Sequence, residues 1–174
     1  MSITYLALGS NLVNRLKNIR TAIDNLSKTN IIVLKTSSVY ETSAYGFKDQ
    51  PNFLNAVIKC KTKYNPVELL KIIKKIESEM GRIITRRWGP RNIDIDILLY
   101  EDIILKEKSL TIPHNELKKR DFFLVPLLEI DNNLIDPETK IHLKDFLKNV
   151  DHHIIKSTSY NISLPIKDFI DINK

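Results

Sequence analysis

An α+β sandwich is predicted by three observations on this 174-residue sequence. Two segments carry apolar residues at helical spacing, and the second is stopped by Gly81. Three segments are short, apolar or β-branched, and bounded by Gly, Pro, Asn or Ser. A further extended segment alternates carboxylates with isoleucines, the period of a strand. The elements run β-α-β-β-α-β, the ferredoxin-like pattern. In that arrangement both helices pack on one sheet face and leave the other for a ligand.

The first strand is Ile3 to Leu8, closed by Gly9-Ser10-Asn11. Leu16, Ile19, Ile23 and Leu26 then recur at spacings of three, four and three, which predicts an amphipathic helix. Ile31 to Tyr40 is β-branched and reads as the second strand. A loop with Gly46 and Pro51 leads to a third, Phe53 to Thr62, with Leu54, Ala56, Ile58 and Cys60 on one face. Asn65-Pro66-Val67-Glu68 is a helix start: an Asn cap, Pro at the first position and Glu at the third. Leu69, Ile72, Ile73, Ile76 and Met80 form its apolar stripe, and Gly81 stops it. A basic loop follows, then the fourth strand with Asp94 and Asp96. Additional C-terminal elements are less regular: a turn and short strand within Tyr100 to Leu105, a helical turn over Glu116 to Arg120, the apolar run Phe122 to Ile130, and a short helix over Leu143 to Leu147. Residues from His152 onward carry no clear pattern. The length and the lack of repeats or linkers predict one domain spanning 1–174.

Composition is that of an ordinary globular chain, 43% hydrophobic and 28% charged. A formal charge of +6 favours an anionic partner. The start, Met1-Ser2-Ile3-Thr4-Tyr5-Leu6, lacks the basic and apolar regions of a signal peptide, and no apolar stretch is long enough to span a bilayer. Cys60 is the only cysteine, which excludes an internal disulfide and a cysteine metal cluster, and a cytoplasmic setting is expected. None of the four glycines falls in a G-x-G-x-x-G or a P-loop pattern, so a nucleotide would be held by another device.

The most informative stretch is Arg86-Arg87-Trp88-Gly89-Pro90-Arg91-Asn92-Ile93-Asp94-Ile95-Asp96-Ile97-Leu98-Leu99. Strand alternation puts Asp94 and Asp96 on one face, roughly 7 Å apart. Ile93, Ile95 and Ile97 face the other way. Two like charges on an apolar strand are unfavourable unless a cation lies between them, and oxygen ligands suit a hard ion such as magnesium. A solvated edge strand is the plainer alternative. Arg82, Arg86, Arg87 and Arg91 suit phosphate, although a solvated basic loop would look the same. Trp88 among them is either a loop anchor or a ligand contact. Asn55 lies within an apolar strand and needs partners there: a heterocycle edge or a neighbouring backbone. Phe53 shares its face. His114 reads as a loop residue when taken alone, and His142, His152 and His153 receive no role.

Together these segments resemble the 6-hydroxymethyl-7,8-dihydropterin pyrophosphokinase family. The resemblance rests on Arg87-Trp88-Gly89-Pro90-Arg91 with Ile93-Asp94-Ile95-Asp96-Ile97-Leu98, and on Gly9-Ser10-Asn11-Leu12. It extends through Tyr40-Glu41-Thr42 with Gly46, Asp49-Gln50-Pro51, Phe53-Leu54-Asn55-Ala56, Ile76-Glu77, Gly81-Arg82, Leu110-Thr111-Ile112-Pro113-His114, Arg120, Phe122, Pro126-Leu127 and Glu129-Ile130. The motifs cover about residues 5–130 and leave the tail after 150 unassigned.

The resemblance implies transfer of pyrophosphate from ATP to the pterin's hydroxymethyl oxygen, giving AMP and the pterin diphosphate in tetrahydrofolate biosynthesis. It implies Asp94 and Asp96 as ligands of two Mg2+ ions. Arg82 and Arg91 would join them as catalytic residues closing over the triphosphate. Thr42, Phe53, Asn55, Trp88 and Phe122 would bind the pterin, with Phe53 and Phe122 on its two faces. Arg87, Arg91, Thr111, His114 and Arg120 would bind ATP, and Glu77 would support the site from behind. No dedicated base is evident, so metal activation is expected. The expected partners are these two small molecules, not nucleic acid or membrane. The chain is expected to act as a monomer, with fusion to, or association with, other folate-pathway enzymes open to it. Ile84, Ala44 and Asn115 depart from residues common in the family: a second loop arginine, a loop proline, and a proline or aromatic. The rival reading is an RNA-binding module on the same fold. It would need stacking aromatics on the first and third strands, where only Tyr5 and no Arg/Lys-Gly-aromatic core are found.

Overall fold

The computed structural model describes residues 1–46, 49–82 and 89–162. Its central element is an antiparallel sheet. β1 (Ser2–Ser10) lies between β4 (Phe53–Thr62) and β5 (Asp94–Tyr100), and β2 (Ile32–Thr36) and β3 (Tyr40–Thr42) both pair with β4. β1 and β4 form the middle and are buried on both faces, which requires a nearly unbroken apolar sequence, and β5 ends the sheet beside β1. The expected Ile31–Tyr40 strand is interrupted at Ser37 and Ser38. Ser37 Oγ accepts the Val57 N–H at 2.9 Å and donates to Ser38 O at 2.7 Å, a side-chain substitute for part of the ladder.

α1 (Arg15–Lys28) and α2 (Pro66–Glu79) pack on one face, as expected of the ferredoxin-like order. Asn14 caps α1 by accepting the Lys17 N–H at 3.1 Å. Asn65 and Glu68 form a reciprocal capping box on α2, with Pro66 needing no partner at the first position. Leu26, Leu69 and Ile73 are fully buried against Leu6, Leu8, Ile58 and Ile95. Each such side chain stabilises the fold by about 1.5–3 kcal/mol of burial.

The second face is only half open. α3 (Asp121–Ile130) and a 3-10 helix (Leu143–Asn149) cover Tyr5, Ala7, Val57 and Leu98 with Phe122, Phe123, Leu127 and Leu143. The apolar run Phe122 to Ile130 therefore corrects the expectation of a free face: it needs cover and takes it from the sheet. Asp131 latches the end of α3, accepting from Tyr5 Oη at 2.6 Å and from Lys59 Nζ at 2.7 Å. A hairpin of β6 (Leu105–Lys106) and β7 (Thr111–Ile112) flanks β5. Residues 154–162 of the tail join the fold. β8 (Ile154–Ser157) adds to β3, and Ile162 is buried in the core beneath α1 and α2. Among the described residues no helix is long and apolar enough to cross a membrane.

Candidate active site

Beyond the cover of α3, the same sheet face turns polar. Gly9 is in register with both Asn55 and Asp94, and Ala7 with Asp96. Alternation thus places Asn55 on β4 and Asp94 and Asp96 on β5 on one face, either side of Gly9 and Ala7 of β1. Ile93, Ile95 and Ile97 are buried on the opposite face, as the spacing predicts. The apolar surround predicts an interior strand, but β5 is the end strand of the sheet: it pairs with β1 alone among the named strands, and the β6–β7 hairpin flanks it.

Asp94 and Asp96 sit in different surroundings. Asp94 is held by Arg82 Nη2 at 2.7 Å and by Arg91 Nε at 2.9 Å. Among the described residues, no basic side chain pairs with Asp96. Burial and the charge of Asp94 push its carboxyl up to about 7, with Lys74 and Arg91 opposing the rise. A half-buried carboxylate beside another, and short of countercharge, fits a hard divalent cation.

The arginines are placed by their own networks. Gly81 adopts φ +78°, a left-handed turn open to glycine, and this reverses the chain at the end of α2. Arg82 then donates its backbone N–H to Glu77 O at 3.0 Å and pairs through its side chain with both Glu77 and Asp94. Glu77 is 2% exposed. Its carboxylate also accepts the Ile95 N–H at 2.8 Å and Lys74 Nζ at 2.8 Å, so one buried acid ties α2 to β5. Arg91 is fixed by Asn11, whose Oδ1 accepts the Arg91 N–H at 2.9 Å, and its guanidinium lies 5.3 Å from the Phe53 ring centre. Asn11 Nδ2 donates to Gln50 Oε1 at 2.9 Å and to Pro51 O at 3.0 Å, which explains the Gly-Ser-Asn and Gln-Pro motifs as one stitch.

Two pockets adjoin along this face. The first, with an empty volume of about 510 Å³, is lined by Thr42, Phe53, Asn55 and Phe122 together with Arg91, Asp94 and Asp96. Asn55 Nδ2 donates to Thr42 Oγ1 at 2.7 Å, which leaves the amide oxygen at the sheet surface. The second is wider, about 1000 Å³, and is lined by Lys74, Asp96, Thr111, His114, Asn115 and Arg120 among others. Tyr45, Asp96 and Arg120 line both. Thr111 reaches the second pocket from β7, and His114 follows it on the same turn. Burial and the nearby Arg120 lower the His114 imidazole to about 4, so the ring is neutral.

Thr42, Phe53, Asn55 and Phe122, expected for the pterin, line the first pocket, and Thr111 and His114, expected for the nucleotide, line the second; of the other nucleotide residues Arg120 lines both and Arg91 only the first, and Asp96 stands at the junction. Arg87 and Trp88, together with Ile84, lie outside the described residues. The sequence reading missed Tyr45, Phe123 and Lys74. Lys74 carried a faint signal, being three residues before Glu77 on one helix face. Tyr45 was visible only in space: the Arg120 guanidinium lies 4.1 Å from its ring centre.

A family model described as 7,8-dihydro-6-hydroxymethylpterin-pyrophosphokinase matches residues 5–132. The chain is 51% identical over 146 residues to a 2-amino-4-hydroxy-6-hydroxymethyldihydropteridine pyrophosphokinase of Aquifex aeolicus, covering 84% of this chain and 91% of that protein. It is 42% identical over 159 residues to the protein of the same description from Haemophilus influenzae, covering 90% and 98%. Among solved structures, a wild-type HPPK-DHPS of Plasmodium falciparum shares the fold, with a TM-score of 0.65 and 18% identity, covering 84% of this chain and 40% of that one.

Proposed function

This chain belongs to the 7,8-dihydro-6-hydroxymethylpterin-pyrophosphokinase family, and we propose that it transfers the pyrophosphoryl group of ATP to the hydroxymethyl oxygen of 6-hydroxymethyl-7,8-dihydropterin in folate biosynthesis. The observation that carries this reading is the meeting of two differently built pockets at Asp96. The narrow one suits a flat heterocycle: Phe53 and Phe122 supply aromatic surface, and Asn55 and Thr42 supply polar groups for its edge. The wide one suits a nucleotide, with Lys74, His114 and Arg120 for phosphate and Thr111 beside them.

The hydroxymethyl oxygen forms a new bond to the β-phosphorus of ATP. The bond from that phosphorus to the oxygen shared with the α-phosphate breaks, AMP leaves with the oxygen, and the hydroxyl proton passes to water. Such a transfer depends on alignment and charge neutralisation more than on covalent catalysis. Asp94 and Asp96 would hold two Mg2+ ions, which when bound neutralise the phosphates and orient donor and acceptor. Arg82 and Arg91 both pair with Asp94. Were Asp94 to ligate a cation instead, both guanidiniums would be available to phosphate oxygens. Glu77 keeps Arg82 within reach during that exchange. Phe53, stacked on Arg91, links the filling of the heterocycle pocket to the position of that arginine.

A single-stranded RNA reader is less well supported. α3 covers half of the sheet face such a reader would use, and two carboxylates occupy the rest. The deciding experiment is AMP formation from ATP with the hydroxymethyl dihydropterin, with and without magnesium. AMP that requires both pterin and metal is expected. ADP in place of AMP, or no turnover, would overturn the reading.

A further inference from the structure

We propose that His153, on the approach to β8, is a positioning residue for the heterocycle pocket: it holds the Ser43–Tyr45 segment and the Phe122 ring in the arrangement that receives the pterin. This inference rests on the pterin reading of that pocket.

His153 stands behind three residues that line the pocket. Its carbonyl accepts the Ser43 N–H at 2.9 Å, and its Nδ1 lies 3.2 Å from Ser43 Oγ. The imidazole meets the Tyr45 ring edge-on, with centres 5.5 Å apart and planes at 67°. It meets the Phe122 ring in the same way at 5.6 Å and 73°. Ser43, Tyr45 and Phe122 come from two separate parts of the chain, and His153 touches all three. Without it, the Phe122 ring and the Tyr45 ring would each lose a packed neighbour on the side away from the ligand.

His153 is itself held firmly. Asp121, the buried first residue of α3, accepts the N–H groups of His153 and Ile154 at 2.8 Å each. Asp121 adjoins Phe122, so the carboxylate that fixes the strand also fixes the helix turn bearing the stacking ring. Downstream, Thr158 donates to Val39 O at 2.8 Å, Arg20 grips Asn161 O at 2.6 and 3.0 Å, and Ile162 is buried in the main core. Residues 153–162 are therefore a strap fastened at both ends, with His153 at the first, packed against Tyr45 and Phe122. A ring so placed limits the freedom of its neighbours before the ligand arrives, and preorganisation of this kind raises affinity without a direct contact.

The test compares wild type with His153→Ala, His153→Asn and His153→Phe, reading the KM of each substrate, kcat and the equilibrium Kd for the pterin. His153→Ala is expected to raise the pterin KM and Kd about tenfold, with the ATP KM within about twofold. His153→Phe, which keeps the two ring contacts, is expected to recover most of that loss. His153→Asn, which keeps only a partner for Ser43, is expected to recover less. Pterin Kd within about twofold of wild type in both the Ala and Phe variants would overturn the proposal. So would equal rises in both KM values, which mark a general loosening. If the Ala variant does not fold, the order of Phe over Asn decides. A wild-type protein that binds ATP but not the pterin would overturn the functional reading itself, and this proposal with it. A wild type that binds pterin alongside unaffected variants would overturn this proposal alone.

Discussion

Gly9 and Asn55 face each other across β1 and β4 so closely that a β-carbon on residue 9 would stand 2.7 Å from Asn55 Oδ1. The Asn55 amide cannot easily retreat, because its nitrogen is bonded to the buried Thr42 hydroxyl at 2.7 Å. Gly9→Ala therefore displaces the polar group proposed to read the heterocycle's edge. Pterin affinity is expected to fall about tenfold or more, while ATP affinity changes little. Calorimetric titration of each ligand checks this. Unchanged pterin binding would mean that Asn55 does not face the ligand.

Glu77 joins α2 to β5 and steers Arg82 from a position with almost no solvent. Glu77→Ala would leave the Ile95 N–H without its partner and remove the acid that holds Arg82 over Asp94. A stability loss of about 3 kcal/mol is expected, since one member of a buried charged network is removed. Glu77→Gln keeps an acceptor for the amide and should lose about 1 kcal/mol. Urea unfolding measures both. If kcat follows the same order at temperatures where both variants are folded, Glu77 acts on the chemistry through Arg82. If kcat is unchanged in both, its role is confined to the fold.

Much of this arrangement was legible in residue spacing. The alternation of Asp94 and Asp96 with Ile93, Ile95 and Ile97 fixes which face is buried, because a strand offers only two. The Asn65 capping box likewise marks a helix start with little room for another reading. Other elements were hidden for physical reasons. Residues 122–128 are all apolar, so their period does not separate a helix from a buried strand, and Pro126 argues against a helix that forms nonetheless. β8 is four residues long and mostly exposed, and its existence depends on pairing with β3, more than a hundred residues away. The role inferred for His153 follows from that pairing, so no local pattern announces it.

Asp96 is the point where stability and activity should part. It is half-buried beside Asp94, with no ion-paired basic partner of its own among the described residues. Its carboxyl is raised in the folded state, so it binds a proton more tightly there than in the unfolded chain. That contribution is present at low pH and is lost as pH rises through about 7. Asp96→Asn should therefore stabilise the metal-free protein at pH 8 by about 1 kcal/mol or more, read as a higher Tm in EDTA. Magnesium with ATP should raise the Tm of wild type but not of the variant, and AMP formation should fall at least about a hundredfold. Turnover that keeps its magnesium dependence in Asp96→Asn would remove this carboxylate from the mechanism.

His114 offers a direct view of the nucleotide pocket because its imidazole titrates far from the usual range. Burial is the main cause, and the positive charge of Arg120 adds to it, lowering the ring to about 4. Its Nδ1 accepts the Glu116 N–H at 3.2 Å, so the neutral ring carries its proton on Nε2. The unfolded chain takes up a proton near pH 6.5, while the folded protein resists until about 4. His114 therefore favours the folded state fully above about 6.5, and this contribution is lost as pH falls from there towards 4. The wild-type protein should lose stability over that window faster than His114→Gln, which has no proton to gain. In an NMR titration of the ring carbons, the midpoint should lie near 4 without ligand. Binding of a polyphosphate beside the ring should move it upward, because negative charge favours the imidazolium. A midpoint unmoved by saturating ATP would place the phosphates away from His114 and assign the ring a purely structural part, packed edge-on against Phe123 at 5.1 Å.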